Sequence, residues 1–443
     1  MKNSKATKKS TSAKHRYAIV GTGARSFMFA DALLDSYKAT SALVALCDSN
    51  AARMAYHNKC YLERWGAKPV PAFAADDFEE MIRTAKPQTV IVTTMDRTHD
   101  DYIIRAMEAG CDVITEKPMT TDEKKCRAIL DAVERTGRSL RVTFNYRYSP
   151  SRSTVKKLIM DGTIGEVKSV HFEWLLNTRH GADYFRRWHR DKKNSGGLMV
   201  HKSTHHFDLV NWWLDDAPEV VFGLGSLAFY GKINGERMGN YRPYPRSTAH
   251  PAAEGDPFAL DLRDGEGLQG LYWEAEKEDA YLRDQNVFGD GISIEDTMNL
   301  VVGYRKGTQL SYSLTAYSPW EGFRIAFNGT KGRIELDELE NSYISAGNSH
   351  IGDGLSESQR LTVFPHWAKP YHVEIPKGEG GHGGGDVMLL KDIFGMKSKS
   401  DPLKRAAGAK DGALSILTGI AANRSFATGL PVRVSDLGVN LPA

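Results

Sequence analysis

The sequence predicts an α/β protein in two parts: a doubly wound parallel sheet over residues 16–148, then an α+β region over residues 149–443 with a largely antiparallel sheet. Three observations predict it. A strand, a glycine turn, a helix and a second strand ending in an acid follow one another between Tyr17 and Asp48. Strand-sized apolar runs then alternate with helical stretches as far as Phe144. Beyond residue 150 apolar–polar alternation takes over. The 443 residues, 41% hydrophobic and 26% charged, suit two or three folded domains and exclude chain-wide disorder. No run of 18 apolar residues occurs, so no membrane association is expected.

Residues 1–15 read as a disordered basic tail. The chain holds 58 Lys and Arg against 55 Asp and Glu, a net charge of +3. Six of those bases (Lys2, Lys5, Lys8, Lys9, Lys14, Arg16) lie in residues 1–16, which leaves 52 against 55 beyond. The folded body is therefore slightly acidic, which argues against nucleic-acid binding. Cys47, Cys60, Cys111 and Cys126 show no CxxC spacing. Buried free thiols in a reducing compartment, the cytoplasm, are the simplest reading.

Tyr17–Val20 is the first strand and leads into Gly21-Thr22-Gly23-Ala24-Arg25-Ser26. Gly21 permits a tight turn, and Gly23 lets a pyrophosphate approach the backbone at the start of a helix. Ala24 follows within that turn. Ser26 stands where a third glycine is common, and Arg25 either touches the pyrophosphate or is solvated. The second strand, Ala42–Cys47, ends at Asp48, whose carboxylate can accept from adenosine ribose hydroxyls and repel a 2′-phosphate. NAD is therefore expected over NADP, with Arg53 as a possible moderating charge. The competing reading of Asp48 is a helix N-cap. Further strands at Thr89–Thr94, Val113-Ile114 and Leu140–Phe144 end in the polar groups Met95–His99, Glu116-Lys117-Pro118 and Asn145-Tyr146-Arg147. Ligands of parallel sheets bind beyond such strand ends.

With GTGARS at 21–26, TTMDRTH at 93–99, EKP at 116–118, FNYRYSP at 144–150, SGGLMVHKSTHHFD at 195–208, NGTKGRIE at 328–335 and HGGGD at 382–386, the chain resembles the Gfo/Idh/MocA oxidoreductases over residues 16–440. The resemblance implies a Rossmann NAD-binding domain and a C-terminal domain with a large, mostly antiparallel open sheet. Such sheets often mediate dimers in this family, so a homo-oligomer, dimer or tetramer, is expected. It implies that Lys117 contacts substrate hydroxyls and the nicotinamide ribose and helps to move protons. Glu116 would bond the cofactor ribose, Thr94, Asp96 and His99 would line the cofactor channel, and Asn145 would sit near the nicotinamide. Arg147 is either a substrate ligand or an interdomain ion-pair former.

In the second part, a helix is expected at Ser153–Asp161 and strands at Val167–Leu176, Val220–Phe229, Thr297–Tyr304, Thr308–Leu314, Phe323–Phe327 and Gly332–Leu336. Residues 231–296 are loop-rich, as a lid or a partner contact would be. A helix near 408–424 is expected to return to the first domain. His201, His205 and Asp208 fall at i, i+4 and i+7, one face of a helix. The family usually has Asp at the first of these positions and His at the second, so His205 matches and is the candidate proton-transfer group. His201 then orients substrate, acts as a second acid/base, or forms a metal pair; with no further ligand in sight, no metal is expected. His206 faces elsewhere and reads as structural. Tyr184, Arg187, Trp188 and His189 are candidate substrate contacts, with Tyr146, Tyr148 and Trp273 as further aromatics for sugar faces. The HGGGD run either reaches the pocket or is a loop before helix Val387–Phe394.

The expected function is an NAD-dependent oxidoreductase acting on a secondary hydroxyl of a sugar, glycoside or cyclitol, with Lys117 and His205 as proton-transfer groups. A glycoside hydrolase or lyase that recycles NAD through transient oxidation, elimination and reduction is the closest rival. A non-catalytic NAD-sensing protein is the third reading.

Overall fold

In the computed structural model, residues 13–342, 358–378, 384–395 and 400–441 are described. The tail at 1–12 and His382 of the HGGGD run lie outside them. The first sheet holds β1 (His15–Val20), β2 (Ser41–Asp48), β3 (Ala72–Ala74), β4 (Thr89–Val92), β5 (Asp112–Thr115) and β6 (Leu140–Val142). All its pairings are parallel, in the order β3-β2-β1-β4-β5-β6. Ala18–Val20 and Val90–Val92 are fully buried, as central strands covered by helices on both faces must be. The order in which strands are added reverses between β1 and β4, and the crevice above that point is where such a sheet binds ligands. Strand β3 was not expected: it sits at the sheet edge and is only three residues long, Ala72-Phe73-Ala74.

Helix Ala51–Trp65 is capped by Asn50, whose side chain accepts from Arg53 N–H, and ends at Gly66 in the left-handed region (φ 60°). The N-cap is thus Asn50, not Asp48. All four cysteines are free and buried.

The second sheet has nine strands: β7 (Val167–Asn177), β8 (Pro218–Ser226), β9 (Thr297–Tyr304), β10 (Gln309–Ser318), β11 (Glu321–Gly329), β12 (Gly332–Asn341), β13 (Ser358–Pro365), β14 (Tyr371–Val373) and β15 (Val432–Arg433). Their order is β14-β13-β12-β11-β7-β10-β9-β8-β15, antiparallel except for the β7–β10 pair. Alternation of buried and half-buried positions through β10 and most of β12 gives the sheet one covered face and one more open face. Phe172, Trp174 and Phe323 lie on the covered face. Phe222, Leu224 and Val301 are exposed on the other. No helix among the described residues is long and apolar enough to cross a membrane.

Two segments tie the sheets together. Helix Ala409–Thr428 runs longer than expected; Gly412 packs on Met119 and Val142, and Arg424 pairs with Glu123 at 3.0 Å. Within the 231–296 stretch, Asn50 Nδ2 donates to Ala275 O (2.8 Å), Arg53 Nε donates to Leu271 O (3.0 Å), and Gly270 lies flat on the Tyr56 ring. That stretch grips the first domain of its own chain.

Candidate active site

A cleft of about 730 Å³ opens beyond the ends of β1, β2, β4 and β5 and is walled opposite by residues from 180 to 205. Gly21, Gly23, Ala24, Arg25, Asp48, Arg53, Thr94, Asp96, His99, Glu116, Lys117 and Asn145 all line it from the first domain. Gly21 has φ 88°, and a Cβ there would stand 2.6 Å from Thr94 N; no other residue fits that turn. A Cβ at Gly23 would meet nothing within 4 Å, which is the open cradle a pyrophosphate needs. Ser26 does not line the cleft. Its hydroxyl donates to Gly23 O at 2.7 Å and fastens the turn from beneath.

At the β2 end, Asp48 accepts from Thr22 N–H, from the Thr22 hydroxyl at 2.9 Å and from Asn50 N–H at 2.9 Å. Arg53 is neutralised by Asp279 at 2.6 Å. Tyr272, Asp279 and Tyr281, from the loop-rich stretch, complete this wall.

The other end of the cleft concentrates ionisable groups. Lys117 closes β5, and its Nζ donates to His201 O at 3.3 Å. Burial pushes its ammonium down to about 8, against the upward pull of Asp96 and Glu116. Glu116 accepts from Arg25 Nε at 2.8 Å, and Arg25 also reaches Asp386 at 3.5 Å. His201 Nδ1 and Asp96 Oδ2 lie 2.5 Å apart. Burial drives Asp96 up and His201 down, so both shifts favour an uncharged pair. The His205 ring stacks on Tyr146, with centroids 4.1 Å apart and planes within 11°. Asn145 Nδ2 donates to Asp386 Oδ1 at 2.7 Å, while its buried Oδ1 has no partner among the described residues.

His99 is a brace rather than a wall group alone. Its ring bridges Pro118 O (2.8 Å) and Thr94 O (3.1 Å), joining the two strand-end loops. Thr94 Oγ1 accepts from Thr98 Oγ1 at 2.9 Å. From the second domain, Tyr184, Arg187, Trp188 and His189 line the cleft with His201 and His205. Trp188 stacks on His189 at 3.5 Å, and Arg187 pairs with Asp183 at 3.0 Å.

Several expectations are corrected. Arg147 does not reach the cleft: its guanidinium is buried between Asp208 (2.8 and 2.5 Å) and Asp411 (2.8 Å), the ion-pair reading of the two. The His201–His205–Asp208 face is not one helix. Helix Leu198–His201 ends before helix Thr204–Leu214 begins, because Ser203 N–H reaches back five residues to Leu198 O. Both histidines still line the cleft, and Asp208 turns away. His206 is structural, bonded to Tyr312 Oη at 2.6 Å and stacked on Trp174 at 4.0 Å. Tyr148 is held by Asp392 (2.7 Å), and Trp273 lies under the Arg246 guanidinium, 5.3 Å from its centroid; neither lines the cleft. The residues missed are His180, Lys202, Tyr272, Asp279 and Tyr281. Lys202 was legible as a charge inside an otherwise apolar and histidine-bearing segment; the tyrosines carried no signal beyond lying in the loop-rich stretch.

Comparison with known proteins gives two family matches. Residues 15–144 match the NAD-binding Rossmann fold of an oxidoreductase family, GFO_IDH_MocA, and residues 156–434 match the C-terminal alpha/beta domain of the same family. YteT of Bacillus subtilis (strain 168), named as an oxidoreductase, is 39% identical over 434 residues, 94% of this chain and 97% of that one. The inositol 2-dehydrogenase of Rhizobium meliloti (strain 1021) is 35% identical over 132 residues, 30% of this chain and 38% of its own. The crystal structure of an aldose-aldose oxidoreductase from Caulobacter crescentus with glycerol superposes with a TM-score of 0.60 at 18% identity, covering 95% of this chain and 100% of that one. That likeness is one of fold. The glycine cradle and the unpartnered Asn145 Oδ1 fit a nicotinamide dinucleotide lying along the cleft.

Proposed function

The chain belongs to the Gfo/Idh/MocA oxidoreductase family, and we propose that it moves a hydride between NAD and a secondary hydroxyl of a sugar, glycoside or cyclitol. One observation carries the reading. Lys117 from the first domain meets His201 and His205 from the second on a single cleft that continues to the glycine turn. Bound NAD supplies the hydride acceptor. Lys117 and His205 take the hydroxyl proton as the carbinol is oxidised and return it in reduction. The backbone carbonyl of His201 aims Lys117 Nζ, and Asp96 fixes the His201 ring so that its other nitrogen faces substrate hydroxyls. Trp188 and Tyr184 offer rings to sugar C–H faces.

Asp48 at the ribose end favours NAD over NADP, and Arg53, already paired with Asp279, is not free to take a 2′-phosphate. The test is NADH formation across a panel of aldoses, glycosides and inositols, run with each coenzyme. We expect turnover of at least one polyol with an NAD preference of about tenfold or more in kcat/KM. No turnover of any member with either coenzyme would sink the reading.

A second reading draws on the Asp96–His201 pair, which gives the cleft an acid/base set beside Lys117 and His205. Transient oxidation of a glycoside, loss of the adjacent C–H proton, departure of the aglycone, water addition and reduction would use both sets and return NAD unchanged. Aglycone release with catalytic NAD and no NADH accumulation would establish it; NADH formed mole for mole with product would exclude it.

The exposed Phe222, Leu224 and Val301 on the open sheet face support assembly there of a dimer or tetramer. A solution mass of one 49.2 kDa chain by light scattering would contradict this. The four free buried thiols support the cytoplasm as compartment.

A further inference from the structure

We propose that the cleft contains a carboxylate subsite built on Lys202, so that its substrate is an acidic sugar, a uronate or uronoside, rather than a neutral one; this rests on the reading of the cleft as a carbohydrate site. Lys202 lies between the two helices that carry His201 and His205, lines the cleft, and is only 5% exposed. Among the described residues its Nζ has one hydrogen bond, to Tyr146 Oη at 3.1 Å. It also sits 5.0 Å from the Trp174 ring centroid and 5.6 Å from that of Tyr146.

Three cations face the reactive half of the cleft, and they are not compensated alike. Arg187 is paired with Asp183 at 3.0 Å. Lys117 has Asp96 and Glu116 as neighbours that stabilise its charge. Lys202, like Lys117, has no carboxylate within 4 Å among the described residues, and Glu321 and Glu340 act on it only from beyond that distance. Glu321, on the same side, is committed to His180 Nδ1 (2.6 Å) and Asn177 N–H (3.2 Å), and Glu340 lies nearest Arg152 (3.7 Å). A buried ammonium carries a large desolvation cost unless an anion and further acceptors meet it. One phenol oxygen and two ring faces offset only part of that. Two of the three ammonium donors remain for a ligand, and a ligand carboxylate supplies both the charge and the acceptors.

The surroundings suit a ring bearing that carboxylate. Tyr146, Tyr184 and His205 line the same cleft as Lys202, with Lys117 on the facing wall. A pyranose placed with its oxidised carbinol at Lys117 and His205 would direct an exocyclic carboxylate toward Lys202. A neutral hydroxymethyl group in that place would leave the ammonium buried without its counter-charge.

The test uses the NAD-loaded full chain and matched pairs of probes: methyl glucuronoside against methyl glucoside, and methyl galacturonoside against methyl galactoside. Calorimetric binding and NADH formation are both recorded, in buffer free of carboxylates and phosphate. We expect at least one acidic probe to bind tenfold or more tightly than its neutral twin. Lys202→Met lowers that acid-to-neutral ratio at least tenfold, chiefly through Kd and KM, and Lys202→Arg restores part of it. Equal binding of every pair overturns the proposal, as does a Lys202→Met variant that weakens both members of a pair in proportion, the signature of a merely structural lysine. Selective binding of an acidic probe without NADH formation keeps the subsite and refutes the redox reading instead.

Discussion

Exchanging Lys117 for Met will lower kcat about 10³-fold and leave NAD affinity within a few-fold. Methionine keeps the length and apolar stem of the side chain, so the half-buried position stays filled. What disappears is the one amine that reaches the reactive end of the cleft from the β5 terminus. The substitution leaves the Gly21–Ser26 turn and Asp48, where the dinucleotide is proposed to bind, untouched. The pH profile gives a second readout. Because burial holds the ammonium down at about 8, its loss of a proton near that pH creates the base for oxidation. Oxidative kcat/KM therefore climbs between pH 7 and 9, reductive kcat/KM falls over the same window, and Lys117→Met flattens both limbs. Stability follows the same linkage. The folded pKa of about 8 lies below the ordinary 10.5, so the folded state binds fewer protons between those values and gains stability as pH rises through them. That rise is absent from the variant. Turnover within tenfold of the parent would remove Lys117 from the proton-transfer set.

Local patterns made the first domain legible. The order strand, glycine turn, helix, strand and acid is dictated by short-range geometry, and β1, β2, β4, β5 and β6 all fall where apolar runs placed them. The edge strand β3 is only three residues long, too short to read, and β13 and β14 lie at one edge of a sheet whose register is set by pairing between strands. The site divides in the same way. Each of Asp96, Lys117, His201 and His205 was singled out from its own motif. That Asp96 would meet His201 at 2.5 Å, across 105 positions of chain, was not readable from either motif. A helical wheel hid Lys202 because it assumed one continuous helix. The wide turn at Ser203 breaks that helix and brings Lys202 to the cleft along with both histidines. Arg147 was undecidable for a related reason: its two acids, Asp208 and Asp411, are distant in sequence and belong to the second domain.

That buried triad is the source of the second large effect. Arg147→Met will destabilise the protein by about 3–5 kcal/mol, because Asp208 is left fully buried without its bidentate partner. For a chain of 443 residues this corresponds to a fall in Tm of about 3–5 °C. Burial by itself pushes the Asp208 carboxyl up, and the Arg147 guanidinium pulls it back; removing the guanidinium leaves only the first effect. The loss therefore comes from an orphaned acid more than from a lost attraction. A double variant, Arg147→Met with Asp208→Leu, removes both charges and should recover at least half of the lost Tm. Activity separates this from the Lys117 effect. Arg147 braces helix Thr204–Leu214, which carries His205, against helix Ala409–Thr428, so the double variant should bind NAD normally while turning over more slowly than its regained stability would indicate. If the double variant melts as low as Arg147→Met alone, the destabilisation lies in packing around the arginine stem, and the ion-pair account of this position is wrong.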